Sequence, residues 1–317
     1  MKSKFNNMKL LLIITSFLLL SVITQAQNDH DAIMMNKHQW CNGIFYEHMQ
    51  WKNYWEGTLK RNNQNIGTFT SQSAAFMTNY GITNKLNVMA GLLYVGNKVS
   101  GGTLHKMNGL QDVSLAVKWK PLALKFGHSR LSLFAVGNVS APTHQYVVDF
   151  LPLAIGLGST TATGRAIADY QRGKFFTTAS AAYTTRSHTK IDRTAYYTDH
   201  MIYSNEVAMP DVFNAMLSAG LRSKYLIAEA MISNTVTQKG GFDIRRNDMP
   251  FPSNRMNMTT IGAHLKYTLP FYTHVELTAD GSQVIRGRNV GQATAFGAGV
   301  FYLFSFSKKV NQPATHS

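Results

Sequence analysis

The sequence contains almost no cysteine, little charge and few acidic residues. Its 317 residues include one cysteine, Cys41, so the chain by itself forms no disulfide framework, four-cysteine zinc site or iron–sulfur cluster. Charged residues make up 15% and apolar residues 44%, which is too hydrophobic a balance for a disordered protein. Because 31 lysines and arginines stand against 16 acidic residues, the chain is strongly basic.

Long hydrophobic runs are also missing, except near the N-terminus. Three lysines in the first nine residues precede an apolar run from Leu10 to Ile23, and the short sequence TQA follows at 24–26. This order is typical of a secretory signal peptide, so we expect a signal peptide at 1–26 and a mature chain that begins at Gln27. The alternative is an uncleaved anchor, but the run is shorter than the roughly 20 residues of a transmembrane helix.

The remaining chain has no run of about 18 apolar residues, which excludes helical membrane spans on sequence grounds. Removing three lysines and no acids lowers the net charge from +15 to +12. An exported basic chain meets anionic lipid and lipopolysaccharide head groups, so we expect no nucleic-acid partner.

Apolar and polar residues alternate over many segments of about ten residues. The clearest segments are 110–119, 212–222, 259–269 and 273–282. Because strand side chains point alternately to opposite faces, each segment has one apolar and one polar face, and its length matches a tilted membrane strand. Weaker candidates raise the total to about twelve: 40–50, 67–80, 86–95, 130–139, 161–170, 175–186, 225–237 and 293–306.

The connections between these segments alternate between short and long. The long, polar ones are 96–109, 140–160, 187–208 and 238–255. Outer-membrane barrels have short periplasmic turns, long extracellular loops and an even strand number. The sequence therefore predicts an all-β fold, a transmembrane antiparallel β-barrel of about 12 strands in the bacterial outer membrane. The alternative is a secreted soluble β-sandwich, whose strands also alternate.

This prediction divides the mature chain into three parts. Residues 27–39 are expected to be a periplasmic lead-in, 40–306 the outer-membrane barrel and 307–317 a periplasmic tail. The last strand ends in aromatics on one face, Tyr302, Phe304 and Phe306, which suits an interfacial girdle of aromatic residues.

Three stretches in the first third of the chain resemble a known family. They are the start of the mature chain with His30, Asp31, Met34 and Met35, the hairpin 80–88, and the Gly-Leu-x-Asp stretch at 109–115. They resemble the Bacteroidetes-like outer-membrane transporters associated with the MetA pathway of phenol degradation, which are similar in outline to fatty-acid and aromatic-hydrocarbon channels. The resemblance implies passage of small or apolar molecules, and no functional residue is carried over from it.

Closure of the sheet would turn the polar strand faces into a lumen. Pairs of opposite charge, such as Lys266 near Glu276, are expected to fill this narrow space, and contact with a solute is the alternative. Twelve strands leave limited width, so the lumen is either slim or obstructed by loops and the N-terminal segment. The candidate lining residues are Asp112, Lys118, Arg222, Glu229, His264, Lys266, His274, Glu276 and Asp280.

The N-terminal stretch concentrates soft metal ligands that favour copper(I). The candidates are His30, Met34, Met35, His38 and Cys41, but their spacing matches no closed motif. We therefore predict no metal site, and a lead-in followed by ordinary strand residues is the simpler interpretation.

Clustered arginines in the long connections suggest contact with lipopolysaccharide phosphates. The four candidates are Arg245, Arg246, Arg286 and Arg288. Solvated loop charge is the alternative interpretation. No strand-spaced Ser–His pair and no complete glycine-rich nucleotide motif occurs, so we predict neither an enzyme nor a cofactor.

The sequence thus predicts a transporter or channel for small solutes, apolar and aromatic ones included. Two alternatives are a structural or surface-binding barrel with a plugged lumen, and a copper-linked outer-membrane protein. The expected partners are outer-membrane lipid, lipopolysaccharide, a small solute and the barrel-assembly machinery.

Overall fold

The computed structural model describes residues 29–103, 106–246 and 248–306. The predicted signal peptide and the predicted periplasmic tail lie outside these ranges. Among the described residues, no helix is long and apolar enough to cross a membrane.

Twelve long strands form the body of the protein, and each pairs antiparallel with its neighbours in the chain. The strands are β1 (Gln39–Trp51), β2 (Phe69–Thr83), β3 (Leu86–Val99), β4 (Lys106–Phe126), β5 (Ser129–Pro142), β6 (Thr161–Arg172), β7 (Phe175–Arg186), β8 (Asp211–Arg222), β9 (Leu226–Gln238), β10 (Asn257–Thr268), β11 (Val275–Arg288) and β12 (Thr294–Ser305). Because β1 also pairs with β12, the sheet closes into a barrel. The predicted 12-stranded antiparallel barrel is confirmed.

β4 is the strand that differs most from the prediction. It spans Lys106–Phe126, whereas the alternation predicted 110–119, and the connection before it is correspondingly shorter than 96–109. Pro121 lies where the pairing with β5 shifts register, between Trp119 and Leu122. A bulge tolerates proline inside a strand, so a residue that seemed to end the segment is accommodated within it.

The two ends of the barrel differ in their connections. At the end where the chain enters β1, five turns of two to six residues join successive strands. At the other end the connections reach 24 residues, at 187–210, and two of them carry three additional strand pairs. Since outer-membrane barrels have short periplasmic turns, the first end is periplasmic and the second extracellular. The three strand pairs are Asn53–Glu56 with Leu59–Asn62, Thr189–Lys190 with Glu206–Val207, and Tyr196–Tyr197 with Met201–Ile202.

The outer wall is apolar where the predicted lipid faces lie. Val113, Leu115, Val117 and Trp119 of β4 are 42–51% exposed, whereas Lys118 between them is fully buried in the lumen. A closed barrel satisfies its backbone hydrogen bonds internally, so an apolar outer wall of this kind belongs in lipid. A sandwich would bury these faces instead. The protein is therefore an outer-membrane barrel.

The chain segment before β1 lies inside the barrel. We call residues 29–38 the N-terminal plug. Ala32 packs into a cluster with Phe134 and Ile167, Ile33 packs against Phe176, and Met35 packs beside Cys41 and Leu303. The plug therefore contacts strands on different sides of the lumen, and its apolar side chains form the core of the periplasmic half.

Candidate functional site

The lumen is the candidate functional site, and its periplasmic half is closed by the N-terminal plug. The Lys118 ammonium group is completely buried and donates hydrogen bonds to the Asp31 carboxylate at 2.8 Å and to the Asp31 carbonyl oxygen at 3.0 Å. Asp29 lies 3.9 Å from the Arg165 guanidinium and 3.2 Å from the His30 ring. These contacts connect the plug to the barrel wall at several points.

Buried ion pairs fill more of the same half. Arg222 donates to both oxygens of Asp169, at 3.1 and 3.2 Å, and its guanidinium lies 4.1 Å from the centre of the Phe176 ring. Lys266 lies 4.0 Å from Glu276, and both side chains are at most 3% exposed. The periplasmic half therefore combines charge pairing with close packing.

A central cavity of about 350 Å³ lies next to the plug. Its lining is rich in ionisable groups, among them Glu47, Glu229 and Asp280. The imidazole of His264 is hydrogen-bonded to Asp280. The cavity thus carries acidic groups from β1, β9 and β11.

A second cavity, of about 420 Å³, lies beneath the extracellular loops. We call it the vestibule. Its lining is mainly apolar and includes Trp51 and Ile155. The loop 143–160 folds inward as its rim and is fixed by Asn97, whose side-chain amide donates to the carbonyl oxygens of Leu153 at 3.1 Å and Ala154 at 3.0 Å. Glu47 lines both the vestibule and the central cavity, so the two spaces adjoin at this side chain.

The loop 239–256 is clamped at the extracellular end. The Arg288 guanidinium donates to the two oxygens of Asp243 at 2.8 and 2.6 Å, and Asn289 donates to the same carboxylate at 2.7 Å. The hydrogen bond from Arg288, helped by that from Asn289 and opposed by partial burial, lowers the pKa of Asp243 to about 2. The carboxylate is therefore charged at neutral pH.

The predicted lining residues fall into several groups. Arg222, Glu229, His264, Lys266 and Asp280 line the central cavity. Lys118 and Glu276 are fully buried in ion pairs of the periplasmic half. Asp112 lies toward the extracellular end, where its carboxylate accepts a hydrogen bond from the Tyr146 hydroxyl at 2.8 Å.

His274 is the exception. β11 begins at Val275, so His274 belongs to the turn 269–274. Its ring Nδ1 lies 2.8 Å from the Leu303 carbonyl oxygen, and the ring stacks on Tyr302, which faces outward. Placing His274 in the lumen was wrong because the strand starts two residues later than the alternation suggested.

The candidate soft ligands do not come together. His30 contacts Asp29, His38 contacts the Tyr80 hydroxyl and Met34 packs against an apolar cluster, while Met35 and Cys41 share another. Within the described ranges, no three histidine, cysteine or acidic side chains form a group able to hold a metal ion.

The four candidate lipopolysaccharide ligands have different surroundings. Arg245 and Arg246 are exposed in the loop 239–256, and Arg245 lies 5.2 Å from the centre of the Tyr197 ring. Arg286 is exposed, but both Arg286 and Arg288 belong to β11. Their expected position in a loop was wrong because the strand continues beyond the segment that alternates clearly.

Sequence reasoning missed Glu47. In the first strand apolar residues occur on both faces, with Phe45 and Met49 inside and Ile44 and Tyr46 outside, so alternation does not mark an inner face. Only the pairing of β1 with β12 places Glu47 beside the charged residues of the last strands.

The comparisons with known proteins support the fold. No protein-family model matches the chain, and no curated protein sequence matches it. The structure is similar to that of an outer-membrane channel from Pseudomonas putida F1, with a TM-score of 0.68, 15% identity and coverage of 89% of this chain and 100% of that chain. This similarity confirms the outer-membrane barrel fold.

Two further barrels are less similar. The NanC porin gives a TM-score of 0.45 at 9% identity, with 81% of this chain and 98% of that chain covered. The CymD monoaromatic hydrocarbon channel gives a TM-score of 0.38 at 10% identity, with 86% of this chain and 90% of that chain covered.

Proposed function

We propose that the protein is an outer-membrane channel that passes small solutes, apolar and aromatic ones included, without catalysing a reaction. The observation that carries this proposal is the vestibule, a mainly apolar cavity of about 420 Å³ that opens toward the extracellular loops and adjoins the central cavity. Cavities of roughly 300–1,000 Å³ with apolar walls and a few polar groups are typical of small-molecule sites. The resemblance to transporters associated with phenol degradation agrees with an aromatic solute.

In this proposal the N-terminal plug controls the last part of the route. A solute that enters the vestibule reaches the central cavity past Glu47 and then meets Asp31, which is bonded to Lys118. Movement of the plug must break that contact and withdraw Met35 from its apolar surroundings. We therefore expect low conductance at rest and brief openings.

Planar-bilayer recording of the purified mature protein tests the proposal. The native chain should give small, intermittent conductance, and a variant that lacks residues 29–37 should give a larger and steadier one. Liposomes containing the variant should also take up phenol faster than liposomes containing the native chain. If neither protein conducts and neither raises phenol uptake, the channel proposal fails.

A structural or surface-binding barrel with a plugged lumen is the second candidate. The paired charges of the periplasmic half favour it, because Lys118, Asp169 and Glu276 are fully buried. Such a barrel would remain closed even without residues 29–37, since the ion pairs Arg222–Asp169 and Lys266–Glu276 would stay in place. The deletion variant therefore separates the two candidates.

We also propose that exposed arginines contact lipopolysaccharide phosphates at the extracellular end. Arg245, Arg246 and Arg286 are exposed there, whereas Arg288 is engaged by Asp243. Replacing the three exposed arginines by glutamine should weaken binding of purified lipopolysaccharide at low salt, since exposed ionic contacts are screened by salt. Arg172→Gln, at an exposed arginine of the periplasmic end, is the control, and equal effects of the triple and the single change would contradict the proposal.

A further inference from the structure

One level of the central cavity carries an acidic row. Along the strand pairings Glu47 lies opposite Gly297, Gly297 opposite Asp280, Asp280 opposite His264 and His264 opposite Glu229. Neighbouring strands are about 4.8 Å apart, so the row follows roughly 19 Å of the inner wall. It contains three carboxylates and one imidazole.

Gly297 is the one position in this row without a side chain, and there is a steric reason for glycine there. The Phe45 ring lies over Gly297, and a Cβ at this position would collide with it. The wall between Glu47 and Asp280 therefore carries no side chain of its own and is covered by the Phe45 ring, so no polar side chain stands between the two carboxylates in this row.

The cationic groups that line the cavity are already paired. Arg222 is bonded to Asp169, Lys266 lies beside Glu276, and the two histidines contact Asp29 and Asp280. Glu47 and Glu229, by contrast, have no hydrogen-bond or ion-pair partner among the described residues. The cavity consequently has an excess of negative charge on its lining.

Two buried hydroxyl groups point independently to a ligand in the same cavity. Ser218 is 3% exposed and Thr278 is 9% exposed, and both line the cavity. Neither hydroxyl has a hydrogen-bond partner within the part of the chain that the structure describes. Buried hydroxyl groups are normally hydrogen-bonded, so these two are available to a bound molecule.

The chemistry of these groups defines the molecule that fits. Ionised carboxylates only accept hydrogen bonds, and hydroxyl oxygens can accept them, so the ligand must supply donors and a positive charge. A primary ammonium group supplies both. The carboxylates are spread along the wall, and no three acidic or histidine side chains among the described residues form a metal-binding group, which favours an organic cation over a bare metal ion.

We infer that the central cavity binds the ammonium head of an organic amine beside Glu47 and Asp280, with Glu229 adding negative charge farther along the wall, while the apolar body of the amine lies in the vestibule. Glu47 lines both spaces and therefore lies where head and body would meet. This inference rests on the proposed channel function and narrows its solute class.

Three ligands with one phenyl ring and different head groups test the inference on the mature protein. Benzylammonium should block the planar-bilayer current at about a tenfold lower concentration than benzyl alcohol, a difference of about 1.4 kcal/mol, and benzoate should block least. The reversal potential in a salt gradient should show cation preference. The double variant Glu47→Gln/Glu229→Gln should lose both properties, and Glu206→Gln, in an exposed extracellular strand pair, should keep them.

Calorimetric titration of benzylammonium into the detergent-solubilised proteins gives a readout that does not require conduction. The inference would be overturned if the protein conducts without cation preference and if the native protein and the double variant bind benzylammonium equally. That result would still support the channel proposal. Glutamate-dependent binding without any conductance would uphold the amine site and refute the channel. Heat-modifiable migration on gels confirms that the double variant is folded.

Discussion

The two halves of the lumen are built on opposite principles. The periplasmic half is filled with side chains, including the fully buried Lys118, Asp169 and Glu276, and is crossed by the N-terminal plug. The extracellular half contains the vestibule, with mainly apolar walls and a rim formed by the loop 143–160. Buried charge stabilises a structure only when it is well paired, whereas an apolar cavity can admit a solute without leaving polar groups unsatisfied. The periplasmic half is therefore closed and close-packed, whereas the extracellular half holds an open apolar space, which is where the proposed channel would take up its solute.

The largest expected effect comes from breaking an ion pair in the periplasmic half. Asp169→Ala leaves the buried Arg222 guanidinium without its bidentate partner, which should lower the free energy of unfolding by about 3–5 kcal/mol. Glu206→Ala is the matched change at the extracellular end, where Lys190 is 72% and Glu206 52% exposed, and should cost at most about 1 kcal/mol. Urea unfolding in detergent measures both, and similar losses would remove the contrast between the halves.

The second prediction concerns the anchor of the plug. Met35 is 1% exposed, so Met35→Ala should weaken docking of residues 29–38 by about 2–4 kcal/mol through the cavity it leaves. Met34→Ala, at a half-buried neighbour, should have a smaller effect. Limited proteolysis of reconstituted protein from the periplasmic side should then cleave the Met35 variant faster. Unchanged cleavage would mean that Met35 does not anchor the plug.

The third prediction addresses the vestibule. Ser71 faces this cavity, and Ser71→Trp should occupy part of it and reduce uptake of an apolar aromatic solute about tenfold, equivalent to 1.4 kcal/mol. Gln72 lies next to it on the opposite, exposed face, so Gln72→Trp is the control. Liposome uptake assays would refute the vestibule as the entry site if both tryptophans acted alike.

The smallest effect is expected at the clamp between Asp243 and Arg288. The pKa of Asp243 is lowered from 3.8 to about 2 in the folded protein, so its contribution is complete above pH 4 and is lost as the pH falls toward 2. The carboxylate is 41% exposed, which limits the contribution to about 1 kcal/mol or less.

Thermal unfolding between pH 6 and pH 2.5 measures the effect of the clamp. Asp243→Asn should remove the part of the pH dependence that the native protein shows in this range. Asp248→Asn, at an exposed residue of the same loop, is the control and should leave it in place. An unchanged pH profile for Asp243→Asn would show that the clamp does not contribute to stability.

Strand number and strand faces follow from the sequence because side-chain alternation is local. Every predicted strand exists, and the exposed positions of β4 are the ones that its apolar face predicted. Local pattern also has a definite limit. The alternation predicted that β4 ends before Pro121, because it cannot show a bulge, which depends on the partner strand. It also placed His274 in the lumen, because it cannot show the turn that delays the start of β11.

The sequence by itself therefore determined that this chain closes as a twelve-stranded membrane barrel with a polar lumen. Only the tertiary structure decided which charges meet there. Asp31 and Lys118 are 87 positions apart, Asp169 and Arg222 are 53 apart, and the acidic row depends on the pairing of β1 with β12 at opposite ends of the chain. Alternation fixes the face on which a side chain lies, but interstrand register fixes its depth and its neighbours, and register arises only when distant strands pair.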